Sequence, residues 1–337
     1  MKIMTVIKNK QGVEFTVEEG ILLKADIPEG VSKIDIPVGV TKIGPQVFSY
    51  CKSIKDVYFP QGLTEICDRA FASCDGLTGA LVIPKGVTKI GVSAFEACEG
   101  LTGKLFLPDS LATIDARAFA NCSGLTGSLD IPDNVTDIGE GAFSLCSGLT
   151  GAVVIPNGIT KIARAAFVGC KGLTAVHFSE GLTEIGARAF STCSGLIGAL
   201  VIPKGVTKIG DRAFYYCDGF TGGVVIPDSV TEIGYSTFCG LSSITSVYFP
   251  EGVTEVGKDA FSWCSGFTHV FCTPELEERL CKVGEAKVIQ VAIKRAKDTE
   301  AVLENGFSTL GGDAVWLSPD LVRQHLLALQ SLPDERT

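Results

Sequence analysis

The sequence predicts a β-rich solenoid of about ten coils, closed by a β-hairpin at its N-terminal end and by a strand and helices at its C-terminal end. Three observations carry that expectation. Phenylalanine returns at Phe48, Phe71, Phe95, Phe119, Phe143, Phe167, Phe190, Phe214, Phe238 and Phe261, always 23 or 24 residues apart. Around each Phe the same positions are apolar: eight before (Val40 to Val253), five before (Ile43 to Val256) and six after (Ile54 to Phe267). The stretch ahead of each unit's proline alternates, so that in Gly79-Ala80-Leu81-Val82-Ile83-Pro84 the side chains of Leu81 and Ile83 face one way and those of Ala80 and Val82 the other. A unit this short cannot bury its own apolar side and must stack on its neighbours.

Taken in chain order, residues 1–30 are a cap. Ile3 to Ile7 and Val13 to Val17 alternate and are joined by the turn signal Asn9-Lys10-Gln11-Gly12, which reads as a hairpin. Residues 31–273 are the array, with the unit I-P-x-x-V-T-x-I-G-x-x-A-F-x-x-C-x-G-L-T-G-x-L-x-I-P. Each unit offers one short parallel strand, ended by the proline, which turns the corner. At about 4.8 Å between paired strands, ten coils span about 50 Å. Longer units differ from shorter ones by one glycine at the strand entry (Gly79, Gly103, Gly127, Gly151, Gly198, Gly222), a position expected to need positive φ as a turn or bulge. Residues 274–337 form the C-terminal strand and helix cap. A short helix is expected from Pro274, a strand at Lys287 to Val291, and two helices beyond. The last opens at Ser318-Pro319 and packs on the final coil or meets a partner.

Cysteine stands three residues after the Phe in nine units, and Leu241 replaces it in the remaining one. An aliphatic substitute shows that the position asks for a small apolar body. An odd total of thirteen and the absence of any C-x-x-C speak against a disulfide framework and against zinc. The residue before the Ile of V-T-x-I runs Lys42, Glu65, Lys89, Thr113, Asp137, Lys161, Glu184, Lys208, Glu232, Glu255. Opposite charges on adjacent coils read as a self-paired, solvated face. The Thr before them, with Ala112 the exception, reads as a hydroxyl ladder.

On the outward strand row, Tyr58, Val82, Phe106, Asp130, Val154, His177, Val201, Val225, Tyr248 and Phe271 follow one another. Such a row reflects either the strand preference of Val and aromatic residues or an apolar stripe that receives a partner. These ten are the candidate partner-binding residues, with the aromatic ones as anchors.

The pattern I-P-x-x-V-T-x-I-G-x-x-A-F-x-x-C, as it stands at 131 to 146 and 203 to 217, resembles the BspA-like class of leucine-rich repeats over about residues 31 to 273. The resemblance implies a right-handed leucine-rich-repeat superhelix with a strand on one face and extended or 3₁₀ segments on the other. It also implies a non-catalytic binding role, for many members on microbial surfaces.

A net charge of −9 and a pI near 5.0 argue against a nucleic-acid partner, which requires a basic face. No stretch approaches the ~18 apolar residues of a membrane span. Of three histidines, His177 and His269 fall about 20 Å apart on the strand row, too far to share a site, and no phosphate-loop, dinucleotide or hydrolase motif occurs. The expected function is therefore a module that binds a protein partner, without cofactor or metal, as a monomer with weak self-association. A microbial effector or adhesin acting on host proteins, and an enzyme whose chemistry sits in the C-terminal segment, are the alternatives. With no signal-peptide pattern at the N-terminus, the expected location is the cytoplasm, or a destination such as a host cell reached by export without a signal peptide.

Overall fold

The computed structural model describes residues 4–266 and the backbone of the strand His269–Phe271. The helices and strand expected within 274–337 lie outside the described residues. Among those described there is no helix. The chain winds as a β-solenoid of about ten coils with three walls, and one continuous apolar cluster runs through it from Val13 to Cys264.

The cap has three strands where the sequence predicts two. β1 (Met4–Lys8) pairs antiparallel with β2 (Glu14–Glu18), and β2 pairs antiparallel with β3 (Ile21–Asp26). In the first turn Asn9 Oδ1 accepts the N–H groups of Gln11 and Val13, each at 3.0 Å. Glu19 and Gly20 turn the chain from β2 into β3 with φ of +49° and +80°, the pair of positive values that a two-residue hairpin needs. Glu-Gly is a weaker turn signal than Asn-Gly, which is why the third strand is not legible from sequence. β3 then pairs parallel with Lys42–Ile43 and hands the sheet to the coils.

The first wall is a ladder of two-residue strands at the V-T-x-I position. It runs in register from Lys42–Ile43 to Asp137–Ile138 and again from Lys161–Ile162 to Glu255–Val256. Between those two runs it is interrupted. Threonine hydroxyls donate to the carbonyl one coil back from Thr41 through Thr88 and again from Thr183 through Thr254, so the predicted hydroxyl ladder also comes in two runs.

The second wall carries the Phe column. All ten rings are buried and stacked, with neighbouring centroids between 4.9 and 5.8 Å apart and planes within 23°. The resemblance implies extended or 3₁₀ segments here. The observed wall is a run of overlapping turns with two left-handed residues per coil, two before and two after the Phe. Around Phe119 these are Arg117 (φ +57°) and Asn121 (φ +60°). The N–H groups of Arg117, Phe119 and Asn121 donate to Glu140, Ala142 and Ser144 of the next coil at 2.9, 2.8 and 2.7 Å, while those of Ala120 and Cys122 close turns on Arg117 and Phe119. The N–H groups of this turn thereby find backbone acceptors without a regular strand.

The third wall holds the strands before the prolines, and it is not one sheet. Lys33–Asp35 pairs with Asp56–Tyr58, Leu81–Val82 with Leu105–Phe106, and Gly151–Val154 with Leu173–His177. Gly222–Val225, Ile244–Tyr248 and His269–Phe271 form a triplet. The segments around Asp130 and Val201 make only isolated bridges, so the expected strand in every coil is corrected at those two. The optional glycine shapes this wall. Gly79, Gly127, Gly151, Gly198 and Gly222 have φ between +74° and +81° as expected, and register shifts occur beside Gly151 and Gly222. Gly103 does not have positive φ. It is needed for close approach, since a Cβ there would sit 2.5 Å from the backbone N of Ala80. Of the coils lacking the glycine, two have the five-residue strands Leu173–His177 and Ile244–Tyr248, and another has the three-residue strand Asp56–Tyr58.

Each proline closes the following turn through its carbonyl, as Pro132 does by accepting from Val135 N at 3.0 Å. Ser179 keeps that turn with Leu182, and its hydroxyl donates to Ile159 O at 3.0 Å, which satisfies a polar group that is buried at this position.

Candidate functional site

The outward row of the third wall is open over most of its length. Tyr58, Val82, Phe106, Val154 and Val201 are 53, 59, 46, 56 and 47% exposed, and Asp130 and His177 are exposed as well. Val225 and Tyr248 are not: they are 7 and 9% exposed, which corrects their expected place on the open face. The reason lies in strand pairing. Each exposed member flanks a gap in the ladder on at least one side, whereas Tyr248 is held in register between Val225 and Phe271, and Val225 between Val201 and Tyr248. Neighbours on both sides shield a side chain that a gap leaves open. The side chain of Phe271 lies outside the described residues.

Two of the gaps are clefts into the core. One, of about 240 Å³, opens between Tyr58 and Val82 over Phe71 and Phe95. The other, of about 530 Å³, opens between His177 and Val201 over Phe220. Both follow a coil that lacks the optional glycine, whose strand pairs with the coil before it and leaves the coil after it. At the centre of the row, Lys104 Nζ meets Asp130 Oδ2 at 2.6 Å and sits 5.5 Å from the Phe106 ring centre. The Lys104 ammonium holds the Asp130 carboxyl below the usual carboxylate range. The charge that interrupts the apolar row is thus neutralised within it.

On the first wall the self-paired charges are present in part. Lys42–Glu65, Lys161–Glu184 and Lys208–Glu232 lie at 2.7, 3.0 and 2.5 Å, and the carboxylate hydrogen bonds raise the pKa values of Lys42 and Lys208. Lys89 turns instead to Asp115, at 3.0 Å. Every cysteine among the described residues is a free thiol. In the column, Cys74, Cys98, Cys122, Cys146, Cys170, Cys193, Cys217 and Cys264 each donate Sγ–H to a Phe carbonyl of the preceding coil, at 2.9 to 3.1 Å. Among the described residues no group of three or more His, Cys, Asp or Glu side chains could hold a metal ion, and no helix is long and apolar enough to cross a membrane.

The turn wall carries exposed side chains that the sequence does not single out. Two residues after the Phe, where most coils have Ser, Ala, Asn, Thr or Gly, stand Tyr50, Leu145, Tyr216 and Trp263, exposed by 73, 48, 42 and 75%. Their signal in the sequence is the contrast within one column.

These walls define a repeat scaffold with an elongated open face, a class of protein built to present surfaces. The chain belongs to the family described as BspA type leucine-rich repeat region, which matches residues 29–150, 102–221 and 150–268 in six copies. Repeat proteins of this family are generally interaction or surface modules. Among solved structures, the chain is similar to a leucine rich cell surface protein of Faecalibacterium prausnitzii, with 25% identity over 81% of this chain and 76% of that one and a TM-score of 0.49. It is also similar to the pneumococcal vaccine antigen PcpA (20% identity, 82% and 90% covered, TM-score 0.48) and to a leucine-rich repeat protein of Bacteroides ovatus (22% identity, 82% and 95% covered, TM-score 0.43). None of the curated proteins matches the chain.

Proposed function

We propose that the chain is a non-catalytic module that binds a protein partner through the open strand face between Tyr58 and Val201. The observation that carries this reading is the run of five half-exposed apolar side chains, Tyr58, Val82, Phe106, Val154 and Val201, beside two clefts that reach the core. Soluble monomers rarely expose so extended an apolar row, and a partner's side chains entering the clefts would be shielded from water on several sides. The ion pair of Asp130 with Lys104 and the exposed His177 supply polar contacts within the row.

The test replaces Tyr58, Phe106 and Val201 together by Ser. All three are exposed, so the fold is expected to hold, as judged by circular dichroism and thermal melting. Proteins captured by wild type and not by the variant are then measured directly, in extracts of the producing cell and of a host cell, because the partner is proposed to come from one of these two. A loss of at least about 100-fold in affinity is expected from three contacts worth about 1 kcal/mol or more each. Undiminished binding by a folded variant would remove the strand face from consideration.

A further inference from the structure

Five arginines line the turn wall: Arg69, Arg117, Arg164, Arg188 and Arg212. Arg117 is paired with Glu96, and Arg164 lies 3.6 Å from Glu140. Arg212 is held differently. Its Cζ lies 5.0 Å from the ring centre of Tyr235 and 5.7 Å from that of Tyr215, and Tyr215 and Tyr216 meet edge to face at 4.6 Å. Its chain neighbour Asp211 is already engaged, accepting the Tyr235 N–H at 2.8 Å. Among the described residues no carboxylate lies within ion-pair distance of Arg212, and its buried Nε has no hydrogen-bond partner. Aromatic rings fix the plane of a guanidinium but leave its N–H donors unused. The residue as a whole is half-buried.

Tyr235 also lines a depression of about 670 Å³ that includes Glu232 and Glu255. These two carboxylates face each other in register. Glu232 is bonded to Lys208, and Glu255 makes no ion pair among the described residues. Among the described residues, an arginine whose buried Nε has no acceptor and an exposed carboxylate outside any ion pair are thereby gathered around one exposed tyrosine, and Tyr216, packed on Tyr215, is exposed as well.

We infer that this edge is a second interaction site, which takes an acidic side chain of a protein segment on Arg212 and a basic side chain on Glu255, with an apolar group lying against Tyr216 and Tyr235. A single guanidinium matches one carboxylate in two parallel hydrogen bonds. A polyphosphate would need several cations where Glu232 and Glu255 supply the opposite charge. An acidic glycan would satisfy Arg212 and leave Glu255 unanswered. The site lies on a different wall from the strand face, so its test does not depend on that reading.

The experiment is an NMR titration of the full chain, following the tyrosine rings and the Arg212 Nε–H. Three probes are used: a blocked peptide with glutamate and lysine flanking a Pro-Tyr pair, the same peptide with glutamine for glutamate, and an oligogalacturonate. Saturable shifts with the first peptide are expected, at least 10-fold weaker with the glutamine analogue and with Arg212→Lys, which keeps the charge but loses the fork, and about 3-fold weaker with Glu255→Gln. Equal response to both peptides, saturation by oligogalacturonate alone, or no response in the wild type would each overturn the inference.

Discussion

Cys146 shows why a residue with so much chemical potential serves packing. Its Sγ–H donates at 3.0 Å to the Phe119 carbonyl, which already accepts the N–H of Cys122. A thiol is small enough for the column, and its weak donor meets the second lone pair of a buried carbonyl. Leu241 in the same column makes the packing role legible from sequence; the S–H bonds depend on the stagger between coils and are not. Burial pushes the thiols of Cys146 and Cys193 up to about 12, from an ordinary value of 9.0. A thiol whose folded pKa is raised contributes stability fully below its unfolded pKa, and that contribution is lost as pH rises through the folded one. Urea midpoints are therefore expected to be level to about pH 9 and to fall from there towards pH 12; a level profile to pH 11 would contradict the burial of the column. The Phe143 ring lies 5.5 Å from that of Phe119 and 5.6 Å from that of Phe167. Phe143→Ala is expected to cost about 3–5 kcal/mol by equilibrium denaturation, as for other buried aromatics, and a cost under about 1 kcal/mol would mean that the coils close over the space.

Among the elements, the turn wall and the first wall carry distinct consequences. Bulky side chains on the turn wall lean over the equivalent residue of the next coil, and in two cases that residue is glycine. A Cβ on Gly169 would sit 2.6 Å from Leu145 Cδ2, and one on Gly240 would sit 2.9 Å from the Tyr216 ring. Gly240 also has φ of +83°. Gly240→Ala is thus expected to cost about 1–3 kcal/mol from strain and clash together. A double-mutant cycle with Tyr216→Ala should recover the clash and leave the strain; full additivity would show that the ring moves aside. The first wall has a seam where its ladder stops at Asp137–Ile138 and restarts at Lys161–Ile162. The Phe stack and its backbone bonds run through unbroken, with Phe143 N–H donating to Ala166 at 2.8 Å. Amides at 161–163 are expected to exchange at least 10-fold faster than those at 208–210 in a hydrogen-exchange experiment. Equal protection would show that the seam does not open. Nothing in the residues of the interrupted coil accounts for the break: Ala163 stands where most coils have glycine, but Cys67 and Asp115 occupy that position in coils whose ladder is intact.

As a whole molecule, the chain is a nearly one-dimensional stack in which each coil contacts its neighbours. Distant sites should then behave independently. A double Ser variant at Tyr58 and Phe106, several coils away, is expected to leave the peptide titration at Arg212 unchanged within about 2-fold, whereas a change above about 5-fold would reveal coupling along the stack. The same one-dimensional build explains what could be read in advance. Ten coils, the buried Phe and Cys columns and the turn at each proline follow from a period that every unit restates. The third cap strand depends on a two-residue turn that occurs once.

The sequence alone determined the period, the direction of each apolar column and the residues of the outward row, because those are set within one unit by local alternation and repeated stacking. Tertiary structure alone decided which members of that row meet solvent. Tyr58 and Tyr248 occupy equivalent places in their units, yet one borders a gap in strand pairing and the other is held between two paired neighbours. Pairing between coils is a non-local property, sensitive to one glycine more or less in an adjoining unit. The Arg212 cluster is non-local in the same sense: its rings come from two successive coils, and only their stacking brings a guanidinium between them.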